Sequence, residues 1–440
     1  MGGPEMFEIQ LQGNGIYYGG QMIQGQLKIG GSHKHQEYLS SINNIQMKIL
    51  GYGEVHWTER KSRTRRRRDG SGTEQYYETV HFRNYEEYVC NKFIVHQGPV
   101  GQGYHTFPFS LILPPNLPSS FEGQHGHVRY VVEAKIDRSG IFSFNKRKKH
   151  FISINSIVDL NQIQGAETSQ TNSNSKIFGF LCCSTGPVSA TVRIPRYGYT
   201  PGEIIPISAE IENISTKHMN CTKIRLIQDV TFRATNGTKA TNRILQEVKR
   251  GPIEPGKSDV WNGQPLAIPP IPPSGFGGCR IIDISYHLEF RVDPSGMGFD
   301  LVVKIPITIG TIPLRSYFEQ LAAARPNHQP SFLPVGENYS QPSQSQWVSA
   351  PGKASTAPPS YPNQTTGGFP TNSYAPCAPP IPPTEYNNLP PPSYADAVAA
   401  FEDGRPNQLR SEKDSEHTEA NWDFNPRYPV WSMPSAPPPQ

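Results

Sequence analysis

The sequence predicts an all-β chain: two immunoglobulin-like β-sandwiches in tandem, followed by a disordered proline-rich tail. Three observations carry that expectation. Short runs of alternating apolar and polar residues fill two blocks, 5–155 and 186–314, and helical periodicity is hard to find in either. A polar stretch of small residues, 156–185, separates the blocks and reads as a linker. Proline is uneven: 24 of the 44 prolines lie in residues 314–440. A segment of that composition cannot bury enough apolar surface to offset its ordering entropy, so 315–440 is expected to stay disordered.

In the first block the strands read in order as "MFEIQLQG", "QMIQGQLKIG", "INNIQMKILGYGEVHW", "YYETVHF", "TFPFSLILP", "HVRYVVEAKID" and "KKHFISIN". Each alternates as a half-buried strand should, and Gly, Pro and Asn clusters punctuate them. The second block gives "VSATVRIP", "IIPISAEIEN", "NCTKIRLIQDVTFRA", "RILQEVKRG", "RIIDISYHLEFRVD" and "FDLVVKIPITIG". "RYGYTPGE" and "GPIEPG" are turn signals between them. In the tail aromatics stand singly, and "SYADAVAAFEDG" could form a helical turn or two when bound.

Certain stretches resemble one family. "YHTFPFSLILPPNLPSSFEGQHGHVRYVVEAKIDR" (104–138), with "YYGGQMIQGQLKI" and "ILGYGEVHWTE", is similar to the arrestin N-terminal domain. "IPRYGYTPGEIIPISAEIENIS" (194–215), "IPPIPPSGFGGCRIIDISYHLEFRV" (268–292) and "IPITIGTIPL" are similar to the arrestin C-terminal domain. With its tail, the chain resembles the α-arrestins, the arrestin domain-containing proteins. The resemblance implies a non-enzymatic adaptor that links HECT-type, Nedd4-like ubiquitin ligases to membrane receptors or transporters for ubiquitination, endocytosis and sorting. The alternative is a retromer-like protein-transport scaffold on the same double sandwich, which would lack the tail's motifs.

Those motifs are "PPSY" at Pro358, Pro359 and Tyr361, and again at Pro391, Pro392 and Tyr394. PPxY is the ligand pattern of WW domains. Proline presets a polyproline II backbone, so docking loses little entropy, and the tyrosine ring fills a second pocket. A flexible chain joining Tyr361 to Tyr394 would span about 30 Å, and a ligase with several WW domains would meet the second motif at an effective concentration approaching millimolar. "PSAP", Pro434, Ser435, Ala436 and Pro437, is similar to the peptide taken by the UEV domain of ESCRT-I.

Two basic runs stand out. Arg63, Arg65, Arg66, Arg67 and Arg68 fall between two predicted strands and read as a loop able to touch anionic membrane. "KRKK" (146–149) could extend it only if the fold brings the two together. The predicted first strand, "FEIQLQ", holds no lysine, which puts phosphate-triggered activation of the visual-arrestin kind in doubt.

Other classes find little support. The net charge of +4 does not argue for nucleic acid. The six cysteines form no C-x-x-C pair, and Cys182–Cys183 reads as a small apolar seam before palmitoylation is considered. His33/His35 and His125/His127 would each project from one face of a strand, but two histidines do not complete a metal site. No nucleophile elbow, P-loop or H-E-x-x-H occurs, so no catalytic residue, metal or cofactor is expected. The opening "MGGPEMFEIQLQG" lacks a basic start and apolar run, and no apolar stretch reaches 18 residues. A cytoplasmic protein with reduced thiols, peripherally associated with plasma membrane and endosomes, is the resulting expectation.

Overall fold

The computed structural model describes residues 4–68, 71–139, 145–180, 183–296, 298–317, 319, 392–397, 409, 414 and 417–431. The N-terminal sandwich holds β1 (Met6–Leu11), β2 (Ile16–Tyr18), β3 (Met22–Gly31), β4 (Ile42–Arg66), β5 (Thr73–Gln97), β6 (Gly103–Ile112), β7 (Phe121–Gly123), β8 (Gly126–Arg138) and β9 (Lys146–Asn155). One sheet runs β1-β3-β6 and the other β2-β9-β8-β4-β5, with β7 added on β8. The C-terminal sandwich holds β10 (Gln170–Phe180), β11 (Cys183–Ile194), β12 (Gly198–Tyr199), β13 (Ile204–Asn213), β14 (Met219–Ala234), β15 (Gly237–Arg250), β16 (Lys257–Ala267), β17 (Ile282–Pro294) and β18 (Leu301–Ile309). Its sheets run β10-β11-β13-β16 and β12-β18-β17-β14-β15. The tandem sandwich expected from the sequence is the architecture found.

The alternation read in the sequence is burial in the fold. Along β18, Leu301, Val303, Ile305, Ile307 and Ile309 face inward while Lys304 and Pro306 face out. Several large polar-tipped side chains in the core have a partner for the polar atom. Tyr130 donates to the Pro118 carbonyl at 2.7 Å, and in the other sandwich Tyr286 donates to the Pro272 carbonyl at 2.7 Å. Trp261 on β16 is fully buried, donates to Thr222 Oγ1 at 3.2 Å and packs edge-on against Phe290 at 5.2 Å. Gly51 on β4 leaves room for the Tyr130 ring; a Cβ there would lie 2.4 Å from Tyr130 Cε1.

One connected cluster of buried side chains runs through both sandwiches. Phe121 meets Phe276 edge-on at 5.6 Å, His125 meets Phe232 at 5.6 Å, and Arg280 pairs with Glu86 at 2.6 Å. Several expectations are corrected. The linker 156–185 is largely structured. Its Val158 carbonyl accepts from the Thr311 and Ile312 amides while the Val158 amide donates to Thr311 Oγ1, Leu160 and Ala166 are buried beside Leu314, and residues 170–180 form β10. "TNSNS" lacks apolar alternation, yet a polar strand can pair along a sheet edge through its backbone. Asn172 and Asn174 also donate to the Lys304 and Val302 carbonyls of β18, at 2.8 and 2.9 Å. His33–His35 form a short 3-10 turn rather than a strand. Within the tail, short strands form at Ser393–Asp396, Thr418–Ala420 and Arg427–Val430.

Replacing Trp261 with Ala removes a fully buried indole and its hydrogen bond. The expected loss is about 3–5 kcal/mol, read as a lower denaturant midpoint, with β-sheet circular dichroism retained in water.

Candidate functional site

The site is built on β9, whose far edge would otherwise be open. β2 covers one end, in parallel register Ile16–Tyr18 against Ser153–Asn155. The other end is covered by a segment of the tail that was expected to be disordered. β20 (Thr418–Ala420) lies parallel against Arg147–Lys149. Between the two, the Asn421 side chain takes the place of a strand residue: Phe151 N donates to Asn421 Oδ1 at 2.8 Å, and Asn421 Nδ2 donates to the Phe151 carbonyl at 3.2 Å. Phe151 also packs on Phe424 and Trp422, with ring centroids 6.0 and 6.3 Å away.

The charges here are complementary. Of "KRKK", Lys146 and Lys148 grip Glu419 at 2.9 and 3.0 Å, and Lys149 pairs with Asp414. Burial raises the Glu419 carboxyl, but the two lysine contacts outweigh it and hold the group below its usual value.

The chain then crosses from one sandwich to the other. Arg427 N donates to Ser153 Oγ at 3.1 Å, Asn155 Nδ2 donates to the Arg427 carbonyl at 3.1 Å, and the Arg427 side chain reaches the Asn14 carbonyl. Tyr428 is buried, with its hydroxyl donating to the Ser120 carbonyl at 2.8 Å. Trp431 is buried against the C-terminal sandwich: its amide donates to the Pro201 carbonyl and its indole to the Thr311 carbonyl, both at 2.9 Å. Gly202, at φ +90°, is the turn residue under this contact, and a Cβ there would lie 2.8 Å from the Trp431 carbonyl oxygen.

The strand formed by this crossing, β21 (Arg427–Val430), pairs antiparallel with β19 (Ser393–Asp396). β19 carries the tyrosine of the second PPSY motif. Tyr394 is half-buried, and its hydroxyl lies 3.1 Å from that of Tyr18 on β2. Burial pushes both phenols up, and Tyr394 adds to the shift at Tyr18. Pro392 is described beside it, whereas Pro358, Pro359, Tyr361 and Pro391 lie outside the described residues. So do Pro434, Ser435, Ala436, Pro437 and Cys182.

The arginine run is another correction. Arg63, Arg65 and Arg66 belong to β4, which continues as a two-stranded arm with β5 well beyond Trp57, the last buried residue of β4. Arg63 pairs with Glu78 at 3.3 Å and Arg65 with Glu74 at 2.6 Å across the arm. Arg60 lies over the exposed Tyr77 ring at 4.2 Å. Arg66, Arg67 and Arg68 stand exposed at the end. The arm and "KRKK" do not join: through β8, Lys146–Lys149 lie level with Ile45–Lys48 near the start of β4, far along that strand from Arg63–Arg66.

Sequence reasoning missed Tyr18, Asn421, Tyr428 and Trp431. The available signal was "NWDFNPRYPVW", which places four aromatics in residues 422–431. Among the described residues no group of three His, Cys, Asp or Glu could hold a metal ion, and no helix is long and apolar enough to cross a membrane. The arrangement offers surfaces for binding.

Deleting residues 409–440 should speed amide hydrogen exchange at Arg147 and Phe151, whose N–H groups donate to His417 and Asn421, and leave buried β17 amides slow. Docking should also weaken in acid. Glu419 has a lowered value when docked, so its contribution is full above the ordinary 4.5 and is lost as pH falls through the lowered value. Tail-dependent protection at Arg147 that did not change on acidification would contradict this.

The fold agrees with comparisons to known proteins. The model for "Arrestin (or S-antigen), N-terminal domain" matches residues 6–161, and that for the C-terminal domain matches 184–314. Arrestin domain-containing protein 17 of Caenorhabditis elegans is 30% identical over 312 residues, which is 68% of this chain and 68% of that protein. Arrestin domain-containing protein 4 of Mus musculus is 34% identical over 239 residues, 52% of this chain and 56% of the mouse protein. Arrestin domain-containing protein 1 of Rattus norvegicus is 30% identical over 216 residues, and the chain spans 48% of its length. With both arrestin domains matched in order and the worm relative 30% identical over 68% of the chain, the chain belongs to the arrestin domain-containing proteins, the α-arrestins.

Proposed function

We propose that this arrestin-family adaptor brings a WW-domain, HECT-type ubiquitin ligase of the Nedd4-like class to membrane receptors or transporters. The observation that carries the reading is the pair of PPSY motifs, at 358–361 and 391–394, behind a tandem of arrestin sandwiches. Such an adaptor does no chemistry itself. It raises the local concentration of ligase beside cargo, and two motifs on one tail add avidity for a ligase with several WW domains. "PSAP" at 434–437 extends the proposal to ESCRT-I, 40 residues beyond Tyr394. The protein would then act in the cytoplasm, at the surface of plasma membrane and endosomes. A retromer-like scaffold has no use for the PPSY pair.

Changing both Tyr361 and Tyr394 to Ala should abolish co-precipitation of a WW-domain ligase, while either single change leaves weaker binding. Undiminished recovery of ligase by the double variant would sink the proposal.

The arm is the proposed contact with anionic membrane, centred on Arg66, Arg67 and Arg68, because Arg63 and Arg65 already have acidic partners. Near an anionic surface each basic residue contributes about 1 kcal/mol. Replacing these three with Ser should weaken binding to phosphatidylserine vesicles, most visibly at low salt, because exposed charges are screened over ~8 Å at physiological ionic strength. If the unaltered protein ignores such vesicles at low salt, the arm is a solvated hairpin.

A further inference from the structure

We propose that the docked tail masks the second PPSY motif, so that the N-terminal sandwich and a WW domain compete for Tyr394. The proposal rests on the WW-ligand reading above and concerns the regulation of that same site.

The chain of contacts is short and continuous. Tyr394 is the residue that a WW domain must take into its own pocket. In the docked tail its ring lies against the body, and its hydroxyl is 3.1 Å from that of Tyr18. One ring cannot occupy both places. Its backbone neighbours are held as well. Ser393–Asp396 pair with Arg427–Val430, Ser393 Oγ donates to the Val430 carbonyl at 3.1 Å, Ala397 N donates to the Pro426 carbonyl at 2.8 Å, and Asn425 Nδ2 donates to the Ala397 carbonyl at 3.0 Å. A groove-binding domain would have to approach a motif that already has β21 along one side and β2 at its tyrosine.

What holds β21 is separate from the motif. Tyr428 is sunk in the body, Trp431 is bonded to Pro201 and Thr311, and Asn421 is bonded to Phe151. The mask is therefore set by residues that take no part in WW recognition, and it can be removed without altering Pro391, Pro392 or Tyr394. It is also shallow. β19 is four residues long and Tyr394 is only half-buried, so a WW domain should compete rather than be excluded. In the intact chain 391–394 is then bound at a penalty that depends on tail docking.

The penalty is measurable. If the motif is free only a fraction of the time, the apparent dissociation constant rises by the reciprocal of that fraction; docking nine-tenths of the time gives about tenfold. A single purified WW domain of a HECT-type ligase is titrated into three partners: a peptide covering 386–400, the full chain carrying Tyr361→Ala, and that same chain ended after residue 424. A fourth partner, Tyr361→Ala with Tyr428→Ala and Trp431→Ala, releases β21 without shortening the chain. Thermal melts of each protein check that the sandwiches stay folded.

The expected result is tight binding to the peptide, binding at least about tenfold weaker to the Tyr361→Ala chain, and recovery toward the peptide value in both released forms. Equal affinity for the peptide and the Tyr361→Ala chain overturns the mask and leaves the WW reading intact. Weak binding that neither release restores also overturns it. A peptide that fails to bind overturns the WW reading itself, and the mask with it.

Discussion

The open edge of β9 is the constraint on which the rest of the structure hangs. A strand at the margin of a sheet presents a row of N–H and C=O groups that must be paired or guarded. In this molecule the row from Arg147 to Asn155 is filled piecewise, by β20, then the Asn421 side chain, then β2, while Arg427 bonds the Ser153 and Asn155 side chains. Each filler brings something else with it. β20 brings Glu419, which pairs with Lys146 and Lys148, Arg427 brings the strand that holds Tyr394, and β2 brings the Tyr18 hydroxyl. From Arg427 the chain continues to Trp431 and the C-terminal sandwich, so one edge ties tail, ligand motif and both domains together.

The sequence made the inner strands easy to read and the outer ones hard. A central strand alternates because one face meets the core, as β18 shows. β10, β16 and most of β5 escaped notice, and each ends a sheet. At an edge the backbone can be satisfied while both faces stay wet, so "TNSNS" and "NYEEYVCNK" carry no period of two. The same reasoning explains the tail. "TEANWDFNPRYPVW" is too short and too polar to build a sheet, but it needs to complete only one that already exists. Its cluster of aromatics was the clue. The motif residues themselves were legible from chemistry alone, because proline and tyrosine spacing does not depend on the fold. That one of them lies against Tyr18, 376 residues away in sequence, could not have been read from any local pattern.

Charge was similarly misleading when counted along the chain. Nine basic residues in two runs suggested one broad surface. Folding divides them. Lys146, Lys148 and Lys149 face carboxylates of the tail, Arg63 and Arg65 face carboxylates across the arm, and the exposed remainder collects at the arm's end. An antiparallel ladder places residues from the two strands opposite one another, so register decides which charges survive.

The Asn421 contact has a consequence for selectivity. Backbone pairing is indifferent to sequence, and any extended chain, including a strand from a second copy, could in principle lie along β9. Putting a carboxamide at Phe151 changes the terms. The side chain offers one donor and one acceptor at the spacing of a peptide group, so the tail satisfies the edge at Phe151 without continuing as a strand, and seven residues on Tyr428 fills a buried site. A generic strand can pair the same edge but leaves the Tyr428 site unfilled, and that second contact addresses the edge to this chain's own tail.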